Sequence, residues 1–141
     1  MIKSYRGKLA DDTTITIPLH TNDGKTGYRI IKFELFPSDP TADNENVVKI
    51  YTVEQTAVDA AVNFVDTTLL GVAFLKHGST NTTYDTEIII FDNTTLNQDI
   101  YVTSIDASDN SAMNYYIELE QVPLTEDQAL VAIVKNLRNE Q

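Results

Sequence analysis

The chain has 141 residues, a length that suits one domain and that buries about two-thirds of its unfolded surface on folding, so its core needs no covalent staple. It contains no Cys, which excludes disulfides, thiolate catalysis, thiolate zinc and iron–sulfur clusters together. With 10 Lys/Arg against 21 Asp/Glu, the net charge of −11 repels phosphate backbones and anionic headgroups, so neither nucleic acid nor a membrane is an expected partner.

Short apolar runs alternate with polar turns along the chain. Lys3–Leu9 is a weak first run. Thr14–Leu19 alternates strictly, with Ile15, Ile17 and Leu19 on one face. Pro18 cannot donate to a ladder, which puts this strand at an edge or ends it. Asp23-Gly24 marks a turn. Tyr28–Phe36 follows, with Ile31, Phe33 and Leu35 expected inward and Lys32 and Glu34 outward. It stops at Pro37, and the acidic loop Thr41–Asn46 leads into a strand over Val47–Val53.

Thr56–Thr67 is less regular, and its Val58, Val62 and Phe64 are expected to cover an open end of the core. Leu69–Leu75 is apolar on both faces and predicts a central strand. After the loop His77–Asp85, Glu87–Phe91, Ile100–Ile105 and Asn114–Val122 complete eight strands. The last sets Tyr115, Ile117 and Leu119 against Tyr116, Glu118 and Glu120. Eight short strands with turn signals at these spacings predict an all-β fold over residues 1–124. The expected architecture is an antiparallel β-sandwich of jelly-roll type, with the strand order left open.

The period then changes. Thr125-Glu126-Asp127-Gln128 matches a capping box, and Leu130, Ile133, Val134 and Leu137 fall on one helical face. Glu126 and Asp127 suit the positive end of a helix dipole, Lys135 and Arg138 the negative end. This predicts a helix over Glu126–Arg138, within a tail, residues 125–141, that belongs to the same domain. The stripe either closes the chain's own sandwich or docks on a neighbouring subunit.

Catalytic constellations are sparse. His20 and His77 lie in or beside predicted loops, without HExxH or any Cys partner, and no GxSxG is present. Glu118 and Glu120 share one face of a strand, which suits a solvated surface better than an opposed acid pair. Asp106–Asn110 and Asp39–Glu45 are rich in hard oxygen ligands for calcium, but neither follows the EF-hand pattern. Asn81-Thr82-Thr83 and Asn93-Thr94-Thr95 match the glycosylation triplet, and Met1–Arg6 lacks the apolar stretch of a secretory signal. Tyr101, Tyr115 and Tyr116 serve either packing or a sugar-stacking platform. No catalytic residue, cofactor or metal is expected, and the chain reads as a non-enzyme.

The charge is unevenly spread. Residues 1–36 carry 6 Lys/Arg against 4 Asp/Glu, a net of +2, and residues 37–141 carry 4 against 17, a net of −13. Such a balance serves solubility alone, or it marks a molecule whose mildly basic end docks while the acidic end faces water. On the second reading the interface residues are Lys3, Arg6 and Lys8, joined by Leu130, Ile133, Val134 and Leu137 if the helix docks on a neighbour.

Several segments resemble small virion structural proteins of marine tailed bacteriophages. They are Gly27–Phe33, Val48–Tyr51, Phe91–Asn93 with Asn97–Thr103, and Asn114–Glu120, and the closing Val131–Asn139 is similar as well. The resemblance implies a virion component made in the host cytoplasm, a decoration (cement) protein on the capsid surface. Its implied partners are the major capsid protein and neighbouring copies of itself, as a homo-oligomer on the particle. A tail, hub or fibre-associated protein and a carbohydrate-binding module are the alternatives. The resemblance assigns no functional residue.

Overall fold

The computed structural model describes residues 1–20, 24–78, 85–91, 95–108 and 110–125. They form eight strands: β1 (Ile2–Leu9), β2 (Thr13–Ile17), β3 (Thr26–Pro37), β4 (Asn44–Tyr51), β5 (Leu69–His77), β6 (Asp85–Ile90), β7 (Ile100–Asp106) and β8 (Met113–Pro123). All pairings are antiparallel, and the described residues contain no helix. Each of the eight predicted runs is a strand. The predicted helix over Glu126–Arg138, with Leu130, Ile133, Val134 and Leu137, lies outside the described residues.

Two sheets result, one ordered β1-β8-β3 and the other β2-β7-β4-β5-β6. One step beyond β3, Leu96 bridges to Tyr28 through two N–H···O bonds of 2.7 Å. β2, which Pro18 follows, is an edge strand as proline chemistry requires. The β1–β2 turn is made by Asp11 and Asp12, and Asp12 takes the left-handed φ of 56° that Asp tolerates better than most residues.

One core lies between the sheets. Leu9, Phe33, Met113, Ile117 and Leu119 of the three-stranded sheet pack in one cluster with Ile17, Val48, Ile50, Ile100 and Val102 of the other. Each such burial is worth about 1.5–3 kcal/mol, and the alternating pattern of β8 follows directly from it. β3 breaks the expected alternation. Its register slips between Ile30 and Lys32, so Ile31 is the extra residue of a bulge and is 40% exposed, while Ile30 takes the inward place. The inward position expected for Ile31 is thus corrected by one residue.

β4 and β5 are buried on both faces for a separate reason. Val47, Lys49 and Tyr51 point away from the core yet are buried, and the connection between β4 and β5 reaches this outer face at Lys49. Lys49 Nζ anchors that connection by donating to Asp59 Oδ1 at 3.1 Å and to the Ala61 carbonyl at 2.7 Å. Thr56–Thr67 therefore covers the outer face of the five-stranded sheet rather than an open end of the core, and Val62 and Phe64 are exposed.

Candidate functional site

The outer face of the three-stranded sheet is built from every second residue of its strands. The registers align them in rows: Ile2–Glu120–Arg29, Ser4–Glu118–Lys32, Arg6–Tyr116–Glu34 and Lys8–Asn114–Phe36. The charged groups of the first two rows have partners within this face, some of them in the third row. Arg29 donates to Glu120 Oε2 at 2.7 Å, and Lys32 Nζ lies 3.6 Å from Glu34 Oε1. The Tyr116 hydroxyl donates to Glu118 Oε1 at 2.9 Å. That bond to a carboxylate holds the phenol proton above its ordinary range, so Tyr116 stays a neutral donor.

The last two rows are different. Arg6, Lys8, Glu34, Phe36, Asn114 and Tyr116 surround a concavity of about 500 Å³. Phe36 is 65% exposed at its margin, and Arg6 and Lys8 have no ion-pair partner among the described residues. On a chain of net charge −11 this is a local basic and aromatic surface, able to accept a carboxylate beside an apolar anchor. The floor is shaped from below by Gly7, where a Cβ would stand 3.0 Å from the Tyr115 ring; without one, the ring packs under β1.

The three basic residues expected to dock do not share one face. Arg6 and Lys8 share this face. Lys3 falls on the opposite parity, across from Leu119, and its Nζ lies 5.7 Å from the centre of the Tyr28 ring. Phe36 and Glu34 were not singled out from sequence as site residues. Their signal is the outward parity they share with Lys32, and it becomes a site only once β3 is known to lie two strands from β1.

The other chemical candidates separate. Tyr101 lies on β7 in the five-stranded sheet, Tyr115 faces the core and Tyr116 faces outward, so the three do not form a stacking platform. His20 Nδ1 pairs with Asp99 Oδ1 at 2.6 Å, and that oxygen also accepts the Leu19 and His20 backbone N–H groups at 3.0 and 3.2 Å. Burial pushes the Asp99 carboxyl up, but these hydrogen bonds outweigh it and hold its pKa below the ordinary value. Among the described residues no hydroxyl is bonded to the His20 ring, which is what nucleophilic catalysis would use. His77 lies elsewhere, with Nδ1 3.4 Å from the Ala42 carbonyl.

Asp106, from the loop weighed for calcium, is committed to the backbone. Its Oδ1 accepts N–H groups from Glu45 and Ser108 at 3.1 and 2.9 Å, and Oδ2 accepts Ser111 N–H at 2.8 Å. Burial raises its pKa, and these donors lower it further than burial raises it. A carboxylate ringed by N–H groups ties the β7–β8 connection to the start of β4 and presents little lone-pair density to a cation. Asp39 similarly accepts Thr41 N–H and Oγ–H, at 2.9 and 2.6 Å.

No protein family, curated protein or solved structure matches this chain.

Proposed function

We propose that this protein is a bacteriophage virion structural protein, a non-enzymatic capsid decoration protein that binds the assembled shell through the outer face of its three-stranded sheet. The observation that carries the reading is the concavity where Arg6 and Lys8 stand without ion-pair partners among the described residues, beside exposed Phe36. The resemblance of Gly27–Phe33 and Asn114–Glu120 to phage virion proteins supports it, since those segments are the β3 and β8 that build this face. The finer fold reading is a jelly-roll sandwich. It is supported by the interleaved orders β1-β8-β3 and β2-β7-β4-β5, with Leu96 extending the first sheet where another strand would stand.

The mechanism is linkage. A protein that binds only the assembled shell stabilises the shell by mass action. A standard interface of roughly 1,200–2,000 Å² would be repeated at every equivalent site, and neighbouring copies add avidity. The partners are the major capsid protein and further copies of this chain, with no nucleic acid, membrane, metal or cofactor involved. Quantitative mass spectrometry of purified particles tests the assignment. Copies matching the number of shell sites support it; a dozen or fewer would assign the chain to the tail, hub or fibre, and none would remove it from the virion.

A further inference from the structure

Of the strands described, β6 is the one with no buried residue, although Ile88, Ile89 and Ile90 stand in it side by side. Ile88 is 37% exposed and Ile89 39%. β6 is an edge of the five-stranded sheet, and among the described residues β5 alone pairs with it. The Phe91 N–H bonds the Leu70 carbonyl at 2.9 Å, one step past the Gly71–Ile90 pair of the β5–β6 register. Antiparallel ladders alternate, so Glu87 and Ile89 also bond to β5, while Thr86, Ile88 and Ile90 turn their N–H and C=O groups to the open side. Two other edge strands carry protection: β1 bears Lys3, Arg6 and Lys8, and β2 is 5 residues long with Pro18 next to it. β6 has neither a cation nor a proline, which leaves an apolar edge open to another strand.

We propose that the occupant is β6 of a second copy, paired antiparallel across a two-fold axis so that the two five-stranded sheets run on as one. The edge is complementary to itself. Its open backbone groups fall at even positions, and the registers that join more than one such pair within the strand are centred on Glu87, Ile88 or Ile89. Centring on Glu87 sets two like charges directly opposite each other. Centring on Ile89 carries Thr86 past the end of the facing strand. Centring on Ile88 bonds Ile88 to its counterpart and Thr86 to Ile90 on either side, the fullest set, and sets each Glu87 opposite an Ile89. Ile88 lies opposite Ala73, on the core-facing side of its sheet, so the facing Ile88 covers the part its own sandwich leaves bare. Asp85, Glu87 and the net charge of −11 oppose the pairing, which gives it a salt dependence opposite in sign to that of cation-led docking. The contact lies in the sheet opposite Arg6 and Lys8 and needs no shell, so it stands or falls apart from the capsid role.

Sedimentation equilibrium of the full chain tests this. Wild type should approach twice the chain mass as its concentration rises, and the association should tighten as salt screens the repulsion. Ile88→Lys sets two ammonium groups at the two-fold axis and should weaken it at least about tenfold. Thr16→Lys, on the other edge of the same sheet, should leave it within about twofold of wild type. Amide exchange reads the contact without any substitution. From dilute to concentrated wild type, the Thr86, Ile88 and Ile90 amides should slow at least about tenfold, while those of Glu87 and Ile89, already bonded to β5, should change little. A wild type that stays monomeric at every concentration would overturn the proposal. So would a dimer whose Thr86, Ile88 and Ile90 amides exchange at the dilute rate, or one that Thr16→Lys disrupts and Ile88→Lys does not.

Discussion

Lys49 Nζ meets the Asp59 carboxylate at 3.1 Å from a side chain that is 4% exposed, so a charged residue in the middle of β4 serves as the anchor of a surface loop. The stem packs between apolar neighbours, with Nζ 5.7 Å from the centre of the Tyr51 ring. Lys49→Met keeps the stem and removes the two donors. It should cost about 1–3 kcal/mol of unfolding free energy and raise amide exchange across residues 53–67 while leaving β7 and β8 protected. Denaturant melts with hydrogen exchange check both parts. Unchanged exchange in the loop would mean that its apolar contacts hold it without the lysine.

Acid should act through Asp106 and Asp99. Both have folded pKa values below the ordinary 3.8, so each contributes stability that is full above the unfolded value and is lost as pH falls through the folded one. Stability should be flat from neutrality to about pH 5 and decline below about pH 4. Asp106→Asn turns an amide donor toward N–H groups and should cost about 1–3 kcal/mol at pH 7, with a shallower acid decline than wild type. Urea melts at pH 7 and pH 3 separate the two effects.

The bulge in β3 makes opposite predictions for adjacent isoleucines. Ile30→Ala should cost about 2–5 kcal/mol because it opens a hole in the core. Ile31→Ala, at an exposed bulge position, should stay within about 0.5 kcal/mol of wild type. Equal costs would restore the uninterrupted alternation that the sequence alone suggests.

Ile31 also shows where the sequence stops being informative. Period-2 patterning marks the strands with one face on the shared core and one in water, as Ile117 and Leu119 do in β8, while Leu69–Leu75 is legible as an apolar run. A bulge shifts parity by one residue without any composition signal, so Ile30 and Ile31 cannot be told apart by pattern. The loop over the outer face departs from its expected place for a related reason. Val62 and Phe64 look like core cover, while the residue that fixes the loop is Lys49, a charge that pattern reading assigns to solvent. For the proposed docking face, parity already separates Lys3 from Arg6 and Lys8. The concavity needs the neighbour order β1-β8-β3, which depends on pairings more than a hundred residues apart, such as Lys8 with Asn114. No local pattern carries that.

Binding of purified protein to undecorated bacteriophage shells tests the proposed capsid role most directly. Arg6→Glu with Lys8→Glu reverses both cations of the concavity, and Lys3→Glu changes the same charge type on the opposite parity. The double variant should lose at least about tenfold in affinity and keep its melting temperature, the loss shrinking as salt rises. Lys3→Glu should bind within about twofold of wild type, as expected of a charge outside the contact. Wild-type affinity for the double variant, with Lys3→Glu unchanged, would place docking on another surface and contradict the account.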